Sequence, residues 1–234
     1  MLGSLQGDAD LSTAKPSAPG GARRPSAKRP PTQREVSRAA IERRILAAAE
    51  SVFADKGYSG ATTGEIARRA NLPKPNLHYY FKTKEELYHR VLTDIIDDWL
   101  GSADQIAPGA EPEAALRAYI RGKIELARAK PLASRVFANE IIHGAPHLKP
   151  FLGTKLRDWL ETKTSVIDGW VVARKLKPVD PYHLFFVIWA ATQTYADFEV
   201  QICAVLQRDQ LTPADYDLAA AQLGDIIVDG LRKP

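Results

Sequence analysis

Residues 62–81 read TTGEIARRANLPKPNLHYYF, and their reading decides the fold. Thr62-Thr63-Gly64-Glu65 has the pattern of a capping box, which opens a short helix with Ile66, Ala67 and Ala70 on its inner side. Asn71-Leu72-Pro73 breaks that helix. A second short helix starts near Lys74, with Pro75 in its first turn, where a missing N–H costs little. Leu77 and Phe81, four apart, form its inward face, while Lys74, Pro75, Asn76 and His78 line its leading edge. Two short helices across a tight turn are what a helix-turn-helix needs in order to lay its second helix in the major groove of DNA.

Upstream, Ile41, Ile45, Leu46, Ala49, Val52 and Phe53 recur at helical spacing, and Gly57 stands where a helix-ending glycine belongs. Downstream, Thr83-Lys84-Glu85-Glu86 is a second capping-box pattern, opening a long helix through Leu87, Val91, Leu92, Ile95 and Trp99. Further helices are expected near 111–129, 131–142, 151–174, 180–206 and 213–231, separated by prolines such as Pro108, Pro131, Pro146, Pro178 and Pro213. No strand-like alternation, hairpin signal or internal repeat occurs. The expectation is an all-α chain of about nine helices.

The 234 residues are 45% hydrophobic and 26% charged, enough for a substantial core. No stretch has the roughly 20 apolar residues of a membrane span, and the polar N-terminus does not read as a secretory signal. The one cysteine, Cys203, excludes an intrachain disulfide, and a cytoplasmic location is expected. The net charge of +4 is unevenly placed. Residues 1–34 carry six Lys/Arg against two Asp, residues 35–90 ten basic against seven acidic, and residues 91–234 sixteen against nineteen. A basic front third suits a polyanionic partner. Residues 1–34, rich in Ser, Pro, Ala, Gly, Lys and Arg, are expected to be a disordered basic tail that is either solvated or brushes phosphates. Residues 35–82 then form the DNA-binding domain and residues 83–234 a second helical domain.

The pieces Ile45–Ala49, Phe53-Ala54-Asp55-Lys56-Gly57-Tyr58, Thr62–Ala67 and Leu77–Leu87 together resemble the N-terminal domain of the TetR family of repressors. The resemblance implies a homodimer that reads a palindromic double-stranded operator with one recognition helix per subunit. It carries base and nearby backbone contacts to Lys74, Pro75, Asn76 and His78, and phosphate contacts to Tyr79, Lys84 and Thr62 or Thr63. Where many members have Ser-Lys-Gly-Thr, this chain has Pro73-Lys74-Pro75-Asn76. Asn76 can bind adenine bidentately, or Pro75 and Asn76 can serve only to shape the helix start.

The run Phe185–Phe198 is apolar nearly all round, the mark of a buried helix, yet Trp189, Gln193 and Asp197 share one face of it. A buried amide and carboxylate need partners, either protein groups or a ligand. Residues 130–200, through Pro131–Phe137, Gly144-Ala145-Pro146, Ile167–Val171, Val179-Asp180-Pro181 and Trp189–Phe198, resemble the uracil-responsive regulators of pyrimidine utilisation, the RutR group of that family. This implies no cofactor, and a small-molecule effector such as uracil or a related pyrimidine. Trp99, Trp170, Trp189, Gln193, Tyr195 and Asp197 are the pocket candidates, with plain core filling as the alternative for each tryptophan. The segment around Asn139, Glu140 and His143 departs from that group's pattern. The last two helices, with Ile202, Val205, Leu206, Leu218, Leu223, Ile226, Ile227 and Leu231, would form the dimer interface.

Two other classes compete. A helical enzyme lacks support, with no Gly-rich phosphate loop, nucleophile elbow or CxxC pair, and with Pro146 between His143 and His147. A regulator of another pathway, or a ligand-independent DNA binder, remains open; salt-dependent, sequence-indifferent binding would mark the latter.

Overall fold

A computed structural model describes residues 32–233. The expected tail therefore lies almost wholly outside the described residues. Its last three residues, however, already belong to helix α1 (Gln33–Gly60) and its cap. Thr32 closes a full capping box with Glu35, the Thr32 N–H donating to the Glu35 carboxylate at 2.6 Å. Among the described residues every regular element is helical. Helices α2 (Thr63–Arg69) and α3 (Lys74–Tyr80) form the helix-turn-helix, and α4 (Lys84–Gly101) follows. Then come α5 (Pro112–Ala129), α6 (Pro131–Ile142) and a short α7 (Lys149–Phe151). A π-helical turn, Leu152–Leu156, leads into α8 (Arg157–Val172). Helices α9 (Pro181–Asp197), α10 (Glu199–Leu206) and α11 (Pro213–Leu231) complete the chain.

Gly57, at φ +65°, kinks α1 before its last residues, as its reading as a helix-ending glycine requires. The two capping patterns are only half closed. Thr62 and Thr83 each accept the N–H three residues on. Glu65, however, turns to Lys56 at 2.7 Å, and Glu86 accepts from the Lys82 N–H. The second complete box is Thr212 with Asp215, opening α11.

The expected helix over 180–206 is two helices. Phe198, at φ −118° and ψ 25°, divides α9 from α10 without any Gly or Pro between residues 182 and 212 to announce it. Just before the break, Asp197 accepts a 2.6 Å bond from the Ser134 hydroxyl on α6. Nor is α9 buried all round. Phe186 and Val187 are about half exposed, because one chain covers only the inner face.

One core joins α1 to α4 with Ala133 and Val136 of α6, so the expected boundary at residues 82/83 is a turn in the chain rather than a gap in the packing. A second core lies between α5, α8, α9 and α11, and a third, smaller one between α5, α10 and α11. Ion pairs of Arg117 with Asp225 and of Arg232 with Glu113 bind α5 to α11 at the surface. Leu92 is fully buried in the first core. Leu92→Ala is expected to lower the unfolding free energy by about 2–5 kcal/mol, read as a shift of the urea midpoint.

Candidate functional site

Helix α3 has no capping side chain; Pro73 stands at its N-cap and Pro75 inside its first turn. Leu77 is fully buried against the first core, which fixes the rotation of the helix and turns Lys74, Pro75 and Asn76 into solvent. His78 is half-buried. Tyr79 is 65% exposed, with the Lys82 ammonium 5.9 Å from its ring centre. An exposed aromatic phenol beside a cation on a protruding helix is well placed to meet a phosphate backbone. Thr62 is exposed, its hydroxyl already accepting the Glu65 N–H at 3.2 Å, and Thr63 is half-buried.

Lys84 is placed differently from the other expected contacts. Its ammonium turns inward and donates to the carbonyls of Tyr58 at 2.7 Å and Ala61 at 3.1 Å, and it lies 4.3 Å from the centre of the Tyr58 ring. Two of its three N–H groups thus tie the end of α1 to the start of α4, leaving one for an outside partner.

Beyond α4, a cavity of about 50 Å³ opens between the first two cores. Its walls are Ile96, Trp99 and Leu100 of α4, Tyr119 and Lys123 of α5, Phe137 of α6, Phe151 and Leu156 at the π-helical turn, Trp159 of α8, and Trp189 and Gln193 of α9. A π-helical turn inside a helical stretch often attends a functional site. The Trp189 indole N–H donates to the Tyr119 hydroxyl at 2.7 Å, so that this ring faces the cavity in a fixed orientation. Trp99 packs edge-on against Phe137 with centres 4.6 Å apart. Of the six expected pocket residues, Trp99, Trp189 and Gln193 meet here.

The other three do not. Trp170 is 5% exposed and fills the second core. Tyr195, two residues past Gln193, turns to the opposite side of α9 and packs toward Tyr216 of α11, as helical periodicity dictates. Asp197 lies one turn beyond the cavity, in a neighbouring groove with Arg135, Asn139 and Phe198. Burial pushes its carboxyl above the usual range, against the opposing effects of the Ser134 bond and of the Arg135 and Lys123 charges.

Sequence reasoning missed Tyr119 and Lys123. Both sit on α5, whose alternation of Arg, Lys and Glu with apolar residues reads as an ordinary amphipathic helix. Only tertiary packing reveals that Lys123 faces inward. It is 5% exposed, with its ammonium 4.2 Å from the centre of the Trp99 ring. Burial pulls its pKa down to about 8, with Asp197 opposing.

The comparisons with known proteins agree with this architecture. Residues 45–91 match the profile of bacterial regulatory proteins of the tetR family, and residues 92–234 match the C-terminal region of YcdC-like proteins. The HTH-type transcriptional regulator RutR of Escherichia coli strain K12 is 40% identical over 193 residues, covering 82% of this chain and 91% of that protein. The chain belongs to the TetR family of transcriptional regulators. Among solved structures, the TetR family regulator PfmR of Thermus thermophilus superposes with a TM-score of 0.60 at 20% identity, covering 87% of this chain and all of that one. AibR, solved with isovaleryl coenzyme A and operator DNA, gives a TM-score of 0.63 at 18% identity, over 80% of this chain and 97% of that one. These two show the shared fold. As a TetR-family member the protein is a dimeric DNA-binding regulator and not an enzyme. No described helix is long and apolar enough to cross a membrane.

The Lys123 amine carries its proton up to pH 10.5 in an ordinary setting but only up to about 8 in the folded protein. Between those values the unfolded chain binds the extra proton, so stability rises with pH across that window. Below it the buried charge exacts its full cost. Lys123→Met is expected to stabilise the protein near pH 7 by up to about 3 kcal/mol, with the advantage shrinking as pH rises from 8 toward 10.5. Denaturant titrations of both proteins at several pH values check this.

Proposed function

We propose that this TetR-family protein represses its target by binding a palindromic operator through two copies of α3, and that uracil or a related pyrimidine in the α4–α9 cavity releases it. The observation that carries this reading is the double duty of α4. Its apolar stripe from Leu87 to Ile96 completes the core beneath the helix-turn-helix, and its last turn, with Trp99 and Leu100, walls the cavity. A ligand that alters the position of Trp99 therefore alters the platform of α3. It regulates only insofar as it binds the two arrangements with different affinity.

A pyrimidine ring suits the walls. Trp99 and Trp189 offer aromatic faces, and the Gln193 amide both donates and accepts, matching an N–H flanked by carbonyls. The identity with RutR over most of both chains supports a pyrimidine over unrelated effectors. A location in the cytoplasm, on and off the nucleoid, goes with this role. Exposed Phe186, Val187, Val205, Leu218 and Ile226 on α9–α11 form the apolar surface that a second copy would cover. Of the residues expected there, Ile227 and Leu231 instead pack inward on the second core.

On DNA, Asn76 and Lys74 would read base edges, with Tyr79 on phosphate. Lys74→Ala and Asn76→Ala are each expected to cost about 1–3 kcal/mol of operator affinity and to narrow the gap between operator and random DNA in a gel-shift series. Lys84→Ala should weaken all DNA about equally and also lower the melting temperature, because it frees two carbonyls. If neither α3 substitution reduces selectivity, the recognition surface lies elsewhere.

For the effector, calorimetry with a panel of pyrimidines is the direct measurement. Gln193→Ala is expected to weaken uracil binding tenfold or more with little change in the melting curve. A variant that melts early instead would assign Gln193 to the packing of α9.

A further inference from the structure

The sequence ahead of α1 is not used by the function described so far. From Leu11 to Arg34 the chain carries six Lys/Arg and no acidic residue. Four of the six stand in two copies of one pattern, Arg23-Arg24-Pro25 and Lys28-Arg29-Pro30, five residues apart with only Ser26 and Ala27 between them. A proline bars the helical region to the residue before it and favours extended backbone there. Arg24 and Arg29 are the two cations that this rule covers, and no aromatic or branched apolar residue stands among residues 22–31.

The fold fixes where this segment is attached. The Thr32–Glu35 capping box starts α1 at a defined point. Arg38 follows about 9 Å along the helix, at about 1.5 Å per residue. Its guanidinium lies 6.0 Å from the ring centre of Tyr80, the last residue of α3. Tyr80 packs edge-on to Tyr79, the exposed phenol placed to meet phosphate. Further along α1, Arg44 donates to the carbonyls of Ala70 at 2.6 Å and Asn71 at 3.2 Å, in the turn of the helix-turn-helix. Helix α1 therefore enters the domain beside the end of the recognition helix, with residues 32–39 exposed. When α3 lies in the major groove, the attachment point stands at that groove's margin. At up to about 3.3 Å per residue, Arg29 and Arg24 reach about 10 and about 26 Å from Thr32. That is enough to cross one phosphate backbone into the neighbouring minor groove, about 6 Å wide.

We propose that residues 22–31 are a minor-groove arm, in which Arg24 and Arg29 enter the groove bordering each half-site and select A·T pairs there. This rests on the reading of α3 as the recognition helix and adds a second region of the operator to what the protein reads. A guanidinium is more weakly hydrated than an ammonium, so it enters a narrow groove at lower cost. A·T-rich minor grooves are narrow and carry the deeper negative potential, while a G·C pair puts the guanine N2 amino group on the groove floor. Five residues of extended chain, about 16 Å, match about five base pairs at about 3.4 Å each. Both arginines can therefore occupy one stretch of groove.

The test is a gel-shift series with the full chain on a duplex bearing the half-sites it selects from random DNA. About five base pairs bordering each half-site are made all A·T, all G·C or all inosine·C. Inosine lacks the N2 amino group, so its pair has the minor-groove face of A·T and the major-groove face of G·C. Wild type is expected to bind the A·T and inosine·C duplexes about tenfold more tightly than the G·C duplex. The double variant Arg24→Ala with Arg29→Ala should bind all three equally, with its choice of half-site and its melting temperature unchanged. Arg24→Lys with Arg29→Lys keeps the charge and should recover the salt dependence of wild type without the preference. Equal affinity of wild type for the three duplexes would reduce the tail to phosphate contact and overturn the proposal. So would inosine·C behaving as G·C, a preference that survives the alanine variant, or one fully kept by the lysine variant. Lys74→Ala separates this from the reading beneath it, because it should lose half-site choice and keep the flank preference. A half-site choice indifferent to both Lys74 and Asn76 would move the recognition surface off α3 and overturn the proposal with it.

Discussion

The burial of α4 is the constraint on which the rest depends. Leu87, Tyr88, Val91, Leu92, Ile95 and Ile96 are sealed into the core shared with α1, α2 and α3. A packed core is bistable rather than soft, so α4 cannot slide against it by small degrees. Eighteen residues of helix span roughly 27 Å. Whatever positions Trp99 at one end is therefore felt at Lys84 at the other, where the ammonium clasps the carbonyls of Tyr58 and Ala61.

Helix α6 repeats this arrangement. Phe137 reaches the cavity and packs on Trp99, while Glu140, one turn on, is buried against the DNA-binding side. Its carboxylate accepts from the Tyr88 hydroxyl at 3.0 Å and from the backbone N–H groups of His147 and Leu148 at 2.6 and 3.2 Å. The His147 ring packs at a tilt on Tyr58 and edge-on to Tyr88, with centres 4.3 and 5.0 Å away. Burial, together with the charge and hydrogen bond of Glu140, drives the Tyr88 phenol far above its usual range. A saturated buried carboxylate has little freedom to move alone. Two of the helices that wall the cavity, α4 and α6, are thus pinned to the DNA-binding core, one by apolar packing and one by a polar hub.

The fold was legible because its signals are local. Pro75, Pro112, Pro131, Pro181 and Pro213 all stand in the first turn of a helix, and Gly57 marks a kink, so boundaries could be read residue by residue. At the end of α9, where Asp197 meets Ser134 of α6, no Gly or Pro records the boundary. The site divided in the same way. Periodicity along α9 brought Trp189 and Gln193 to one face. It could not show that the face ends before Asp197, or that Trp170 belongs to another core. Lys123 was the least legible, since a lysine in an amphipathic helix reads as solvated unless the packing of its neighbours is known. The segment that departed from the resemblance, Asn139 to His143, lies at the polar hub and not in the cavity, so its divergence bears on the domain junction rather than on the effector.

Helix α9 explains why one sequence can be apolar nearly all round without being a core helix. Leu184, Phe185 and Ile188 face the second core and Gln193 the cavity, while Phe186 and Val187 face outward, about half exposed. The outward side continues onto α10 and α11 through Val205, Leu218 and Ile226. In the proposed dimer a second copy covers this surface, which puts the cavity a single helix away from the subunit seam. A displacement of α9 large enough to change its contacts with a ring at Gln193 must also change the angle at which two copies meet. The spacing of two α3 helices on an operator depends on that angle. On the proposed function, a ligand has two routes to the DNA, through α4 within one subunit and through α9 between subunits, and both begin at the wall made by Trp99, Lys123 and Gln193.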